Sequence, residues 1–190
     1  GYIEAKGGAN GGDGGFVETS GKINLGVYSL VDTSAALGED GTWLLDPSNV
    51  YITRPGANNA TTGNNTPSSD SYYIDADSIQ TALGSNNVTI LTTNATGSEA
   101  GNIYVDATLT WSNGRVLQLQ ADNDININAA VTYNSGRLRL YANGAINVND
   151  TLTGRYTNFQ ADTGFNINAD IVGKNNAQVT FAARSGAATS

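Results

Sequence analysis

Residues 116–172 read VLQLQADNDININAAVTYNSGRLRLYANGAINVNDTLTGRYTNFQADTGFNINADIV, and four columns of apolar residues recur through this stretch and slightly beyond it. The columns are Leu119, Leu140, Phe159 and Phe181; Ile125, Ile146 and Phe165; Ile127, Val148 and Ile167; and Val131, Leu152 and Ile171. Every column advances first by 21 residues and then by 19, so all four share one irregular spacing. A repeat of about twenty residues that keeps several short strands in register is typical of a solenoid.

Each repeat contains three short alternating segments separated by Asn, Asp and Gly turns, such as residues 116–120, 125–128 and those around Val131. Alternation places Leu, Ile, Val and Phe on one face and Gln, Asn and Arg on the other. We therefore predict an all-β fold, a right-handed parallel β-helix with three short strands per coil of about 19–22 residues. The alternative is an antiparallel sandwich, which has similar strands but needs no constant period.

Dividing the length of the chain by this period predicts roughly eight or nine coils. The pattern extends upstream in less regular form. Further strands are expected at residues 16–18, 23–25, 30–31, 43–45, 50–52, 88–90 and 103–105.

One insertion interrupts the pattern at residues 54–84. Residues 54–71, RPGANNATTGNNTPSSDS, contain no large apolar side chain and are typical of an exposed loop. The next residues, YYIDADSIQTALG, predict a short helix that packs on the coil stack and seals a sheet edge or one end of the core. Its signals are Asp75 or Asp77 as the cap, Ile79 and Leu83 on one face, and Gly84 at the end.

The length and composition fit one domain over residues 1–190. The composition also makes some classes of binding partner less favourable. Lys and Arg number 9 against 17 Asp and Glu, and a net charge of −8 disfavours a nucleic-acid partner. Cys is absent, so no disulfide holds the fold. No run approaches the ~18 apolar residues of a membrane span, so we expect no membrane insertion. Without an initiator Met or a signal peptide, we expect a segment of a longer protein.

The most specific motifs lie in residues 7–52. They are GGFVETSGK at 14–22, VDTSA at 31–35 and GTWLLDPSNVYI at 41–52. In this order and spacing they resemble the large exoproteins of the filamentous-haemagglutinin type that bacterial two-partner systems secrete, and among these the high-molecular-weight adhesins. SIQTALGSNNVTILTTN at 78–94 resembles the segment after WLLDP in those proteins. Beyond roughly the first hundred residues, only the general coil pattern is shared.

The resemblance implies a segment just beyond the secretion domain of a long extracellular β-helical fibre. It implies export through an outer-membrane two-partner transporter to the surface of a Gram-negative bacterium, and adhesion to a host-cell or bacterial receptor or to polysaccharide. The residues of the motif also have structural interpretations. GGANGGDGG at 7–15 is a loop that requires positive φ at several positions, and TWLLDP is a buried strand ended by Asp46 and Pro47.

Five Asn-X-Ser/Thr sequons are candidate glycosylation sites: Asn59, Asn64, Asn87, Asn94 and Asn149. Some members of the resembled group carry sugars at such sequons, although a chain rich in Asn and Thr also acquires them by chance. Asn59 and Asn64 are best placed, because they lie in the polar loop. Asn87 starts a strand and is less accessible.

Aspartates in turns are candidate Ca²⁺ ligands, namely Asp75, Asp77, Asp106, Asp122, Asp124, Asp150 and Asp170. Calcium requires about six to eight converging oxygens, and the run near Asp13 does not fit the GGxGxDx nonapeptide of β-rolls. Because turn aspartates more often bond their own backbone, we predict no metal site and no cofactor.

The sequence contains no catalytic constellation, because His, a Cys nucleophile and GxSxG are all absent. Arg137 and Arg139 alternate on an outward face near Arg115, and we expect this small basic patch to neutralise neighbouring aspartates. Outward asparagines should form two stacks whose amides bond along the rod. The stacks are Asn126, Asn147 and Asn166, and Asn128, Asn149 and Asn168.

We therefore predict a secreted surface adhesin segment, a rigid non-catalytic fibre that binds through loops at residues 54–71 and 94–100. One alternative is a biofilm or extracellular matrix fibre that binds polysaccharide or associates end to end through open coils. A second alternative is a β-helical enzyme that degrades polysaccharide.

Overall fold

The computed structural model describes residues 2–20, 30–46, 48–54, 71–92 and 100–184. Its strands stack in parallel, coil upon coil, into a β-helix of about six turns with one short helix. Among the described residues, the antiparallel pairing is limited to an isolated bridge between Gly8 and Gly11. The parallel β-helix is therefore confirmed, and the antiparallel sandwich is excluded.

Seven strands build the first face of the stack. In spatial order they are β2 (Phe16–Ser20), β4 (Thr42–Asp46), β7 (Asn87–Leu91), β10 (Val116–Ala121), β13 (Arg137–Ala142), β15 (Leu152–Ala161) and β17 (Ile171–Ala183). A separate parallel pair at the N-terminal end consists of β1 (Tyr2–Glu4) and β3 (Leu30–Asp32).

Six strands build the second face. In spatial order they are β6 (Ser71–Asp75), β5 (Asn49–Thr53), β8 (Ile103–Val105), β11 (Ile125–Ile127), β14 (Ala145–Val148) and β16 (Gly164–Ile167). The third face starts with β9 (Leu109–Trp111) and β12 (Val131–Tyr133). It continues through the first halves of β15 and β17, which bend around the corner, so that Leu152 pairs with Val131 while Tyr156 pairs with Arg137.

The four apolar columns are confirmed residue by residue. Leu119 pairs with Leu140, which pairs with Phe159, which pairs with Phe181. The other three columns follow in the same register. Most of these side chains join one continuous core, which reaches from Val31 to Ala161, whereas Ile167 and Phe181 at the C-terminal ends of their columns are 39% and 47% exposed. Stacking of identical or similar apolar side chains at each coil fixes the register, because a slip of one residue would expose a whole column.

The number of coils was predicted wrongly, because insertions lengthen the upstream coils. The register advances by 21 residues from Leu119 to Leu140 and by 19 from Leu140 to Phe159, but by 45 from Trp43 to Val88. This long coil contains β6 and a helix. Moreover β6 pairs with β5 on the side away from β8, so it adds a strand without adding a turn.

The predicted helix is α1 (Ala76–Ala82). Asp75 caps it by accepting hydrogen bonds from the backbone N–H groups of Asp77 and Ser78, and Ile79 and Leu83 are fully buried, as the sequence predicted. The helix packs against both β3 and β9, and its Gln80 Oε1 accepts from Thr110 N of β9 at 2.7 Å. It therefore seals the edge of the third face where another strand would otherwise continue.

A buried amide ties the end of this helix to the N-terminal coil. Asn86 is fully buried, and its Nδ2 donates to Val31 O at 2.6 Å and to Ala82 O at 3.0 Å. Its Oδ1 accepts from the backbone N–H and the hydroxyl of Thr33. All four hydrogen-bonding positions of the amide are thus used.

Two of the motifs that carry the family resemblance are joined to each other by a side-chain hydrogen bond. Thr19 of GGFVETSGK accepts a hydrogen bond from Trp43 Nε1 of TWLLDP at 2.9 Å, and Trp43 is buried. Gly11 and Gly12 have φ of 120° and 104°, as predicted for the glycine-rich loop. Pro47 and the predicted strand at residues 23–25 lie outside the described residues.

Candidate functional site

The predicted glycosylation sites are only partly described. Asn59, Asn64 and Asn94, with most of the loops at 54–71 and 94–100, lie outside the described residues. Asn87 Oδ1 accepts from Val116 N at 2.9 Å, and its Nδ2 donates to Asp40 O at 3.3 Å. Asn149 is exposed and belongs to an amide ladder. Glycosylation stays a prediction at each site.

The turn aspartates take part in hydrogen bonds of the fold. Asp124 Oδ1 accepts from Ala145 N of the next coil at 2.7 Å, and Asp150 Oδ1 accepts from Thr151 N at 2.6 Å. Asp77 pairs with Arg54, Asp106 accepts from Asn128, Asp122 accepts from Asn143, and Asp170 O accepts from Leu152 N. No group of three or more His, Cys, Asp or Glu side chains suited to a metal ion occurs within the described ranges.

The second face carries the two predicted asparagine stacks, and their amides bond along the rod. Asn147 Nδ2 donates to Asn126 Oδ1 at 2.9 Å, and Asn166 Nδ2 donates to Asn147 Oδ1 at 2.7 Å. The neighbouring ladder runs from Asn168 through Asn149 and Asn128 to Asp106, with donor–acceptor distances of 2.8 Å. Each middle amide donates one hydrogen bond and accepts one, so the outward amides of this face are tied to one another along the rod.

The same outward column begins with tyrosines that the sequence analysis missed. Tyr51 stacks on Tyr73 with ring centroids 5.2 Å apart and on Tyr104 at 4.6 Å, and Tyr104 is in register with Asn126. Both faces of the Tyr51 ring are therefore covered by tyrosines, whereas Tyr73 and Tyr104 each have one face covered by Tyr51. The alternation of Tyr51 and Tyr104 with buried residues was visible in the sequence, but the position of Tyr73 depends on the unexpected pairing of β6.

The three arginines of the predicted basic patch behave differently. Arg115 Nη1 lies 2.6 Å from Asp40 Oδ2, which confirms neutralisation for this residue. Arg137 and Arg139 have no ion-pair partner in the part of the chain that the structure describes. The guanidinium of Arg137 instead lies 5.1 Å from the centre of the Tyr156 ring.

Around these two arginines lies a shallow depression of about 160 Å³ on the first face. Its outward-facing lining residues are Arg137, Arg139, Tyr156, Asn158, Gln178 and Thr180. The depression belongs to a larger surface, which we name the amide–arginine face. It comprises the outward polar side chains from β10 to β17, namely Gln118, Gln120, Arg137, Arg139, Tyr141, Tyr156, Asn158, Gln160, Gln178 and Thr180.

A local irregularity adds positive charge at this face. The register between β15 and β17 shifts between Gly154 and Tyr156, and opposite this point Asn175 and Asn176 adopt φ of 44° and 59°. Arg155 at the irregularity places its guanidinium 4.8 Å from the centre of the Tyr156 ring. Tyr156 is therefore in contact with two cations, Arg137 and Arg155, a geometry that cation–π attraction favours.

Tyr133 and Asp32 have shifted pKa values, and the cause in each case is a contact within the fold. Burial raises the pKa of Tyr133 to about 12, partly offset by its hydrogen bond with Thr157, so this phenol remains neutral. Burial opposes ionisation of Asp32, yet hydrogen bonds from Lys6 and Ser34 hold the pKa of Asp32 well below its usual range. Neither group lies in the depression.

Within the described residues, no helix has the length and apolar character that crossing a lipid bilayer demands. Comparisons of the chain with protein-family models, with curated proteins and with solved structures found no match.

Proposed function

We propose that this chain is a segment of a secreted bacterial surface adhesin, a rigid and non-catalytic β-helical fibre that mediates attachment. The observation that carries the proposal is the in-register stack of coils, held by one core and by amide ladders along its axis. A stack of this kind is a rod that presents its outer faces at fixed spacing.

The motifs of residues 14–22 and 41–52 support the proposal, because they resemble filamentous-haemagglutinin-type exoproteins. Phe16–Ser20 of the first motif pairs in parallel with Thr42–Asp46 of the second. On this proposal, an outer-membrane two-partner transporter exports the chain to the cell surface.

Attachment can be measured with fluorescent beads that carry the 190-residue chain, counted on epithelial monolayers. We expect more bound beads than with albumin-coated beads, and we expect soluble chain to compete for the same sites. Equal binding of the two kinds of bead, or binding that soluble chain cannot reduce, would contradict an adhesin function.

A second candidate is a self-assembling matrix fibre. Among the described residues, Val179 and Phe181 on the inward side of β17 are 38% and 47% exposed, whereas Phe159, which pairs with Phe181, is fully buried. A second copy stacked on β17 would cover them and satisfy the backbone edge. Analytical ultracentrifugation tests this candidate. Filaments that disappear in Phe181→Asp would support it, and a monomer at all concentrations would refute it.

A further inference from the structure

The first and second faces of the rod differ in how their outward polar side chains are used. On the second face, the asparagine amides bond to one another from coil to coil. On the amide–arginine face, no side chain takes part in a hydrogen bond with another described residue. Its donors and acceptors are therefore open to a ligand, while the guanidinium of Arg137 also lies over the Tyr156 ring.

The charge of this face is opposite to that of the chain. The protein has a net charge of −8, but the outward positions of β10, β13 and β15 and those of residues 178–182 contain no Asp or Glu. They contain Arg137 and Arg139, whose Cα atoms are separated along one strand by about 7 Å, the spacing of alternate residues. The two cations are not neutralised by any ion pair within the described residues.

We propose that the amide–arginine face binds a linear acidic polysaccharide, with Arg137 and Arg139 on its anionic groups and the surrounding amides on its hydroxyls. Guanidinium groups bond carboxylate and sulfate oxygens through paired N–H donors, which favours an anionic ligand. Asn, Gln and Thr side chains both donate and accept, as sugar hydroxyls require. This proposal names the ligand of the proposed adhesin and rests on that function.

The shape and overall charge of the chain favour a polysaccharide over other polyanions. The face is open and crosses four strands spaced about 4.8 Å apart, so a linear polymer can lie across it. Nucleic acid carries a dense row of phosphates, and the net charge of −8 would repel it beyond the local patch. An acidic polysaccharide has fewer charges along its length and many hydroxyls, so it matches two arginines surrounded by amides better than nucleic acid does.

Affinity electrophoresis of the full chain in native gels tests the proposal. The gels contain polygalacturonate, dextran sulfate, uncharged dextran or inorganic polyphosphate. The first two probes separate carboxylate from sulfate recognition, and dextran is the matched neutral polymer for dextran sulfate. We expect retardation by one or both acidic polysaccharides, little by dextran, and weakening as salt screens the arginines.

The variants Arg137→Gln and Arg139→Gln should each weaken binding about tenfold, equivalent to about 1.4 kcal/mol. Arg54→Gln is the control, because it removes the same charge from an exposed site outside this face, where Arg54 pairs with Asp77. Thermal melting of each variant shows whether it remains folded. Absence of retardation by both acidic polysaccharides, an equal loss in Arg54→Gln, or equally strong retardation by polyphosphate would overturn the proposal.

The bead assay separates this inference from the proposed function. If beads carrying Arg137→Gln/Arg139→Gln attach as well as wild type, adhesion stands and this face is not its ligand site. If wild-type beads do not attach but polygalacturonate still retards the chain through these arginines, the site stands and the adhesin function fails.

Discussion

Gly154→Ala should destabilise the protein, although adding a Cβ to a glycine of ordinary φ usually helps. A Cβ at Gly154 would lie 2.1 to 2.5 Å from three ring atoms of Tyr133, which precedes it in the same inward column. Tyr133 is fully buried, stacks on Trp111 at 4.8 Å and hydrogen-bonds to the Thr157 hydroxyl. The ring therefore has no free space into which it can move.

Two effects of opposite sign set the magnitude. Gly→Ala reduces the conformational freedom of the unfolded chain, and this stabilises the folded protein by about 0.4–1 kcal/mol where the native conformation suits alanine. Overpacking a filled core costs about 1–3 kcal/mol, and displacing the phenol from Thr157 adds about 1 kcal/mol. The net loss is about 1–3.6 kcal/mol, or roughly 2–14 °C in Tm for a chain of this size.

The assay is urea unfolding followed by circular dichroism. Gly114→Ala is the matched control, because nothing lies within 4 Å of its Cβ, and we expect it to be neutral or slightly stabilising. In a Tyr133→Leu background the ring is gone, so the cost of Gly154→Ala should fall toward zero. A Gly154→Ala protein as stable as wild type, or the same cost in both backgrounds, would refute the packing argument.

Three other polar side chains should contribute measurably to stability. Asn86→Ala leaves a buried carbonyl and a buried N–H of the N-terminal coil unpaired, and should lower the free energy of unfolding by about 2–4 kcal/mol in urea titrations. Asn147→Ala removes two ladder bonds at a half-buried position, and should cost about 0.5–1.5 kcal/mol in the same measurement. The lowered pKa of Asp32 stabilises the fold above the unfolded pKa of about 4, and this contribution is lost as pH falls further. The Tm difference between wild type and Asp32→Asn should accordingly shrink between pH 5 and pH 2, and a constant difference would contradict the role of its carboxylate.

The sequence predicts the C-terminal coils well because each apolar residue there has the same role in every coil. Leu119 can be aligned with Leu140 and Phe159 from their spacing alone, since burial imposes alternation and stacking imposes the shared spacing. The helix was predictable from local sequence, because the side chain of Asp75 caps the backbone N–H groups of the first turn. Local chemistry and repetition are the two signals that a single sequence retains.

The features that the sequence missed depend on contacts without a local signal. The residues of β6 alternate equally well whichever side of β5 they join, so neither its pairing nor the coil count could be deduced. The contact between Arg155 and Tyr156 requires the irregularity opposite Asn175 and Asn176, whose composition resembles any polar turn. Such features are set by the neighbouring coil rather than by the segment itself.

Function is expected at those outward positions of the sheet whose side chains neither the core nor a hydrogen-bonded ladder constrains. Inward positions of a β-helix are constrained by the core, and the ladder positions of the second face are constrained by their own bonds. The amide–arginine face is under neither constraint, yet it holds two unneutralised arginines in an acidic chain. If these arginines served stability alone, Arg137→Gln and Arg139→Gln would lower Tm and leave the retardation by acidic polysaccharide unchanged. A loss of polysaccharide binding without a change in Tm would show instead that ligand binding accounts for these residues.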